Sequence, residues 1–342
     1  MVAIIRRRIR LFTLALALFA ITLMSFLFNY TQSSGLVLWN PEKYFRFSGP
    51  FIRFMTSVRR PCSCDTCVSE TDLSAWFDER FNHSIPPLLT KQNDEVSEST
   101  YRWWMRLQGE RNPMDINKAI EEMFKVIPGD DNLLDHDPYR CRTCAVVGNS
   151  GNLKGSEYGQ DIDSHDFVLR MNHAPTTRFE KDVGNKTTHH FVYPESVRNL
   201  PDNVSMVLIP FKTLDLQWIV SALTTGTINF TYAPVPRKIK VTKDKILVYH
   251  PDFMKYIYDR WLFHHGRYPS TGMLSVIFAL HICDQVDLYG FGADSKGNWH
   301  HYWENNPSAG AFRQTGVHDG DFEAEIIGNL TSINKIKVFR GR

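Results

Sequence analysis

Two histidines in the C-terminal third of the chain are candidates for acid–base chemistry. His318 stands five residues before Glu323 at the start of a predicted helix, and His301 lies within an aromatic run. A histidine has an unperturbed pKa of about 6.5, so it can accept a proton from a hydroxyl group near neutral pH. A helix N-terminus also disfavours the imidazolium form, which keeps His318 available as a base. The alternatives are a capping or surface role for His318 and a packed ring for His301.

A glycine turn offers a second kind of chemistry, the binding of a phosphate or a sugar. The apolar run Ala145–Val147 leads directly into Gly148–Asn152, which is typical of a buried strand that feeds a turn. Backbone N–H groups and short polar side chains at such a strand end can face a ligand phosphate. The turn is neither a P-loop nor a dinucleotide fingerprint, so an ordinary strand-to-loop connection is the alternative.

Metal-assisted chemistry is a rival interpretation. Asp319 and Asp321 have the D-x-D spacing with which many nucleotide-sugar glycosyltransferases hold a divalent cation, and Asp161 and Asp163 repeat it. However, Asp319 opens a predicted helix, where the dipole favours aspartate, and Asp161 lies in a polar loop. A serine nucleophile would need the Gly-x-Ser-x-Gly pattern, which the turn at Gly148 does not complete.

Alternating strands and helices must position these residues. The strand-like runs are Ala145–Val147, Phe167–Met171, Phe191–Tyr193, Met206–Pro210, Ile246–Tyr249, Val286–Tyr289 and Ile336–Phe339. Helix-like segments lie at 71–81, 101–108 and 114–126 and, among the strands, at Leu214–Leu223, Phe253–Leu262, Met273–Cys283 and Phe322–Leu330. This alternation predicts an α/β fold with a largely parallel central sheet flanked by helices. Gly148–Asn152, Asn172 and Gly290–Asp294 would then lie together beyond the carboxyl ends of strands.

The N-terminus predicts a membrane anchor. Four arginines in residues 1–10 precede an uncharged run of 18 residues, 11–28, which suffices to cross a bilayer. The basic cluster should stay cytoplasmic, so residues 29–61 are predicted to be a luminal stem and 62–342 a luminal domain. A cleaved signal peptide is the alternative reading of the same run.

Cysteine usage agrees with a luminal location, and the net charge bears on possible partners. The six cysteines are an even number, which implies disulfides in an oxidising compartment and leaves the pairing open. A zinc site at Cys62, Cys64 and Cys67 is the alternative for that cluster. Several Asn-x-Ser/Thr sequons also predict a glycoprotein. The net charge of +2 gives no reason to expect a nucleic-acid partner.

Four motifs, taken in order, resemble the sialylmotifs of animal sialyltransferases. The large motif runs from Cys144 to about Thr188, and the small motif is Tyr268–Gly292. The third motif is His301-Tyr-Trp-Glu304, and the last consists of His318 and Glu323. Together they span most of residues 141–323, and their combination is specific to the family.

The resemblance implies both an activity and a location. The fold would be a Rossmann-like variant of the GT-A type. The reaction would be an inverting transfer of sialic acid from CMP-sialic acid to O3 of galactose, without a metal or any other cofactor. The acceptor would be Galβ1-3GalNAc on O-glycans of glycoproteins and on glycolipids. The protein would be a type II protein of the Golgi membrane, and cleavage in the stem would release a soluble form.

The resemblance also implies roles for single residues. His318 would take the proton of galactose O3, and His301 would hydrogen-bond or protonate the departing phosphate. The implied donor-binding residues are Asn149, Ser150, Asn172, Thr271, Gly272 and Gly292. The implied acceptor contacts are Gln108, Tyr232 and Tyr268, and the implied disulfides are Cys62–Cys67, Cys64–Cys141 and Cys144–Cys283. The rivals are a metal-dependent transferase that uses Asp319 and Asp321, and a glycan-binding protein without activity.

Overall fold

The computed structural model describes residues 18–25, 61–130, 139–293, 300–305 and 316–341. The chain divides into two compact units, residues 1–59 and 60–342. In the first unit, residues 18–25 form a helix with exposed side chains. Apart from these residues and Pro61, the predicted anchor, 11–28, and stem, 29–61, lie outside the described residues. None of the helices within the described residues is both long enough and apolar enough to cross a membrane.

An eight-stranded sheet forms the centre of the second unit. Its strands are β1 (Leu88–Leu89), β2 (Thr143–Val147), β3 (Phe167–Met171), β4 (His189–Val192), β5 (Ser205–Leu208), β6 (Ile246–Tyr249), β7 (Gln285–Tyr289) and β8 (Lys337–Phe339). Their order across the sheet is β1-β6-β5-β4-β3-β2-β7-β8, with β1 antiparallel and all other pairs parallel. The predicted α/β class with a mostly parallel sheet is therefore confirmed. Strand β1 was not predicted, because two residues carry no periodic pattern.

Helices cover this sheet. They are α1 (Ala75–Asp78), α2 (Glu98–Trp104), α3 (Ile116–Phe124), α4 (Gly159–Asp163), α5 (Glu180–Val183), α6 (Thr213–Leu223), α7 (Pro251–Tyr256), α8 (Thr271–Ile282) and α9 (Gly320–Ser332). Helix α7 continues as a π-helical turn over Ile257–Trp261. Each predicted helix segment contains one of these helices or overlaps it. The short helices α4 and α5 were not predicted, since one turn leaves no measurable period.

Capping explains where helix α2 begins. The sequence predicted a start at Tyr101, whereas the helix begins at Glu98. The Ser97 hydroxyl accepts a hydrogen bond from the Thr100 backbone N–H at 3.3 Å, which satisfies one of the free N–H groups of the first turn. The aromatic pattern alone did not reveal this polar first turn.

Helix α8 is the buried helix of the core. Ten of its residues, Met273–Ile282, are buried, and it packs on strands β2, β3 and β7. A helix that is apolar on all sides belongs inside a protein rather than on its surface. Its position against the sheet brings its N-terminal residues to the carboxyl ends of the strands.

Three disulfides connect the elements, and all six cysteines take part. They are Cys62–Cys67, Cys64–Cys141 and Cys144–Cys283, the same pairs that the family resemblance implies. The bond from Cys144 to Cys283 joins strand β2 to the end of helix α8. A zinc site at Cys62, Cys64 and Cys67 is therefore wrong, because these sulfurs are bonded in disulfides.

Candidate active site

A cleft of about 590 Å³ opens at the carboxyl ends of strands β2, β3, β4 and β7. In a parallel α/β sheet this edge is the usual place for a ligand. Eleven residues predicted from the sequence line it: Gln108, Asn149, Ser150, Asn172, Tyr232, Tyr268, Thr271, Gly272, Gly292, His301 and His318. The fold thus brings residues from distant parts of the chain to one site.

Two asparagines follow the adjacent parallel strands β2 and β3. Asn149 donates from Nδ2 to the Met171 carbonyl oxygen at 3.2 Å. Asn172 has a φ of 58°, and its carbonyl oxygen accepts a hydrogen bond from Nε2 of His190 at 2.7 Å. The Oδ1 atoms of both asparagines are buried and have no hydrogen-bond partner among the described residues. They offer two acceptor atoms to N–H or O–H groups of a ligand.

Glycines let the turn after β2 meet the end of β7. A Cβ atom on Gly148 would lie 2.3 Å from the carbonyl oxygen of Gly290, so only glycine fits there. The N–H of Gly148 donates to Tyr289 O at 2.7 Å, and that of Ser150 donates to Gly290 O at 3.1 Å. Gly292 has a φ of 89°, a conformation that favours glycine. These contacts fix the Gly148–Asn152 turn at the edge of the cleft.

The N-terminus of helix α8 forms another wall. Ser270 caps the helix by accepting a hydrogen bond from Met273 N at 3.1 Å. Glu323 of helix α9 accepts hydrogen bonds from Ser270 N at 2.8 Å and Ser270 Oγ at 2.5 Å. Burial raises the pKa of Glu323 to about 7, although the bonds from Ser270 stabilise its carboxylate. Thr271 and Gly272 are the first two residues of helix α8, and both line the cleft. At this end of a helix, the dipole and the free N–H groups favour an anion.

His318 is held in one tautomer. Its Nδ1 lies 2.8 Å from the carbonyl oxygen of Tyr268. Because a carbonyl oxygen only accepts, Nδ1 carries the proton and Nε2 has the lone pair in the neutral ring. Burial lowers the pKa of His318, and the hydrogen bond to Tyr268 opposes that shift. His318 lies one residue before Asp319, the N-cap, and is therefore outside the first turn of helix α9. Its neutral form is favoured chiefly by burial.

His301 lies beside the glycine turn. It forms a backbone bridge with Ser150, which places it against the turn that follows strand β2. Its Nδ1 is 3.0 Å from Oε1 of Glu304, and its ring stacks on Trp303 at a centroid distance of 4.4 Å. A histidine held by a carboxylate at Nδ1 can offer Nε2 to a ligand.

The three predicted acceptor contacts also line the cleft. Gln108 is buried, and its Oε1 accepts a hydrogen bond from Lys212 Nζ at 2.6 Å. Tyr268 packs its ring against Phe211 at 5.0 Å. Tyr232 is 67% exposed, and its backbone N–H donates to Oε1 of Glu195 at 3.0 Å.

The structure adds lining residues that the sequence reading missed. Glu195 follows strand β4 just as Asn172 follows β3, so the rule of carboxyl strand ends could have found it. His300 has a buried Nδ1 without a partner in the described part of the chain. Phe211 and Phe291 also line the cleft, but nothing distinguishes them in the sequence from core aromatics.

Asp319 has a structural role at the start of helix α9. Its Oδ1 accepts a hydrogen bond from Phe322 N at 3.0 Å, and its Oδ2 lies 3.0 Å from Nδ1 of His265. Neither Asp319 nor Asp321 is among the residues that line the cleft. Over the described ranges, no group of three or more His, Cys, Asp or Glu side chains is placed to hold a metal ion.

Comparison with known proteins identifies the class. Residues 88–335 match the model of glycosyltransferase family 29 (sialyltransferase). The chain belongs to this family and is a glycosyltransferase, which confirms the resemblance seen in its motifs.

Particular members of this family are similar to this chain over most or all of its length. It is 62% identical over 344 residues to CMP-N-acetylneuraminate-beta-galactosamide-alpha-2,3-sialyltransferase 1 of Gallus gallus, covering 100% of each chain. A crystal structure of a mammalian sialyltransferase matches with a TM-score of 0.78 and 64% identity, over 83% of this chain and 100% of that one. A crystal structure of a mammalian sialyltransferase in complex with Gal-beta-1-3GalNAc-ortho-nitrophenol also matches. Its TM-score is 0.78 and its identity 64%, over 82% of this chain and 100% of that one.

Proposed function

We propose that this protein transfers sialic acid from CMP-sialic acid to O3 of galactose in Galβ1-3GalNAc, on O-glycans of glycoproteins and on glycolipids. The full-length relative is named as an α-2,3-sialyltransferase that acts on β-galactosamide. A solved structure at 64% identity is a complex with Gal-beta-1-3GalNAc linked to ortho-nitrophenol. The reaction would invert the configuration at the anomeric carbon and need no metal or other cofactor.

The donor would occupy the half of the cleft at β2, β3 and α8. The N–H and O–H groups of cytidine are suited to the buried Oδ1 atoms of Asn149 and Asn172. Its phosphate suits the N-terminus of helix α8 at Thr271 and Gly272, together with Ser150 of the glycine turn. Gly292 keeps the backbone of this pocket free of a side chain. A monophosphate leaving group carries less charge than a diphosphate, so preorganised hydrogen bonds can stabilise it without a cation.

The observation that carries the mechanism is the hydrogen bond from His318 Nδ1 to the Tyr268 carbonyl oxygen. It supports Nε2 as the atom that takes the proton from galactose O3. As that proton moves, O3 bonds to the anomeric carbon and the bond from this carbon to the phosphate oxygen breaks. Attack on the face opposite CMP gives inversion. His301 hydrogen-bonds or protonates the departing phosphate, which leaves as CMP.

The acceptor would occupy the half of the cleft at Gln108, Tyr268 and Tyr232. Gln108 and Tyr268 suit contacts with galactose, because each can hydrogen-bond a sugar hydroxyl. Tyr232 is largely exposed at the rim and suits the next part of the acceptor. This assignment keeps galactose next to His318, whose ring contacts Tyr268 edge-on at 4.9 Å.

The location follows from the same proposal. Residues 1–10 would be a cytoplasmic tail and 11–28 a signal-anchor in the Golgi membrane, followed by the stem 29–61 and the luminal catalytic domain 62–342. The three disulfides support an oxidising lumen. The domain would be a Rossmann-like variant of the GT-A fold, and cleavage in the stem would release it in soluble form.

A transfer assay tests the function and both rivals. The protein is given CMP-sialic acid with Galβ1-3GalNAc or with Galβ1-4GlcNAc, with and without EDTA, and the product linkage is determined. We expect α-2,3 transfer that prefers Galβ1-3GalNAc and is unchanged in EDTA. Loss of turnover in EDTA would favour a metal-dependent transferase, and binding of the disaccharide without turnover would favour a glycan-binding protein.

A further inference from the structure

Lys212 is a buried lysine that the proposed reaction does not use. It lies directly before helix α6 and is 1% exposed. Its Nζ lies 2.7 Å from Oδ1 of Asp215, which is fully buried, and 2.6 Å from Oε1 of Gln108. Burying an ion pair seldom adds net stability compared with apolar residues of similar size. The ammonium also contacts Gln108, which lines the cleft, so the pair is placed to act on the site.

The ammonium group fixes the orientation of the Gln108 amide. Lysine has only N–H donors, so the atom that it meets on Gln108 must be the carbonyl oxygen. The amide NH₂ group is then left to donate into the cleft that Gln108 lines. Without Lys212, an amide flip would replace this donor by the carbonyl oxygen at small cost.

We propose that Lys212 and Asp215 are positioning residues that orient the Gln108 amide toward the acceptor. The NH₂ group of Gln108 then donates to a hydroxyl oxygen of the galactose, and Asp215 keeps the buried ammonium in place. This inference rests on the proposed function, in which Gln108 and Tyr268 contact the acceptor.

The first test separates this role from a purely structural one. Lys212→Met keeps an unbranched side chain, shorter by one atom, and removes the donor. We expect it to raise the KM for Galβ1-3GalNAc about tenfold, the effect of one hydrogen bond, and to change the KM for CMP-sialic acid less than twofold. Lys335→Met is the matched control. Lys335 is 5% exposed and donates to the Val68 carbonyl oxygen at 2.8 Å, and it does not line the cleft. Its loss should lower the melting temperature and leave both KM values within twofold.

A double-mutant cycle then asks whether Lys212 acts through Gln108. In a Gln108→Ala background, we expect Lys212→Met to change the acceptor KM less than twofold, because the amide it orients is gone. An equal effect in both backgrounds, or equal effects on donor and acceptor KM, would overturn the positioning role of Lys212. If Lys212→Met does not fold, the cycle is run with Lys212→Met/Asp215→Asn, which leaves no unpaired charge. A wild-type protein without transfer to the disaccharide would refute the proposed function instead.

Discussion

The imidazole of His318 donates from Nδ1 to the backbone carbonyl oxygen of Tyr268 at 2.8 Å, and the rings of these two residues meet edge-on. The contact joins the last sialylmotif to the first residue of the small motif. The hydrogen bond selects the tautomer of His318 and holds its ring in position. The acceptor is a backbone carbonyl oxygen, which does not titrate. A backbone carbonyl is a weaker partner than a carboxylate for stabilising imidazolium, which agrees with a base that must be neutral before the reaction.

Replacement of His318 by alanine should lower kcat by on the order of 10²-fold or more, because proton removal from O3 loses its base. The KM for CMP-sialic acid should change little. His265→Ala is the control, since His265 is a nearby exposed histidine that contacts Asp319. Initial rates of transfer to Galβ1-3GalNAc measure both variants. Near-normal turnover by His318→Ala would show that another group acts as the base.

The pH dependence of the rate should follow the titration of His318. Burial lowers its pKa from the ordinary value, so the neutral base persists below the pH at which a free histidine becomes protonated. The kcat/KM for the acceptor should therefore be level near pH ~7 and fall as pH drops through a value below ~6.5. A pH–rate profile between about 4.5 and 8 measures this. A rate that declines already above pH ~7, or that shows no decline anywhere in this range, would contradict the assignment.

The strand pattern predicted the part of this site at the sheet edge, because parallel strands end at the same edge, whereas Gln108, Tyr232 and Tyr268 were implied only by the family resemblance. Asn149 and Asn172 could be placed together from the ends of two apolar runs, and Gly290–Gly292 from a third. The contact between Gln108 and Lys212 could not, because these residues are 104 positions apart and meet only through the packing of their two segments. Lys212 also looks like an ordinary surface lysine in the sequence.

Asn172 should contribute its side chain to donor binding and its backbone to the turn, and two substitutions separate these roles. Its φ of 58° is accessible to glycine at little cost but strains alanine. Asn172→Gly should therefore retain stability and raise the KM for CMP-sialic acid about tenfold, since the buried Oδ1 is lost. Asn172→Ala should add a loss of thermal stability of about 1 kcal/mol. Donor kinetics and melting curves of both variants provide the test. An unchanged donor KM in Asn172→Gly would exclude the amide from the donor site.

The close approach of Gly148 to Gly290 should make the glycine turn intolerant of any side chain. A Cβ atom at Gly148 would meet a backbone oxygen at 2.3 Å, and backbone atoms cannot move aside as a flexible side chain would. Gly148→Ala should therefore destabilise the fold by about 1–3 kcal/mol and displace Asn149 and Ser150 from the donor. Gly328→Ala is the matched control, because an added Cβ there meets nothing within 4 Å and alanine favours the helix. Chemical denaturation and donor KM distinguish the two variants, and equal stability of both would show that the turn can relax around a methyl group.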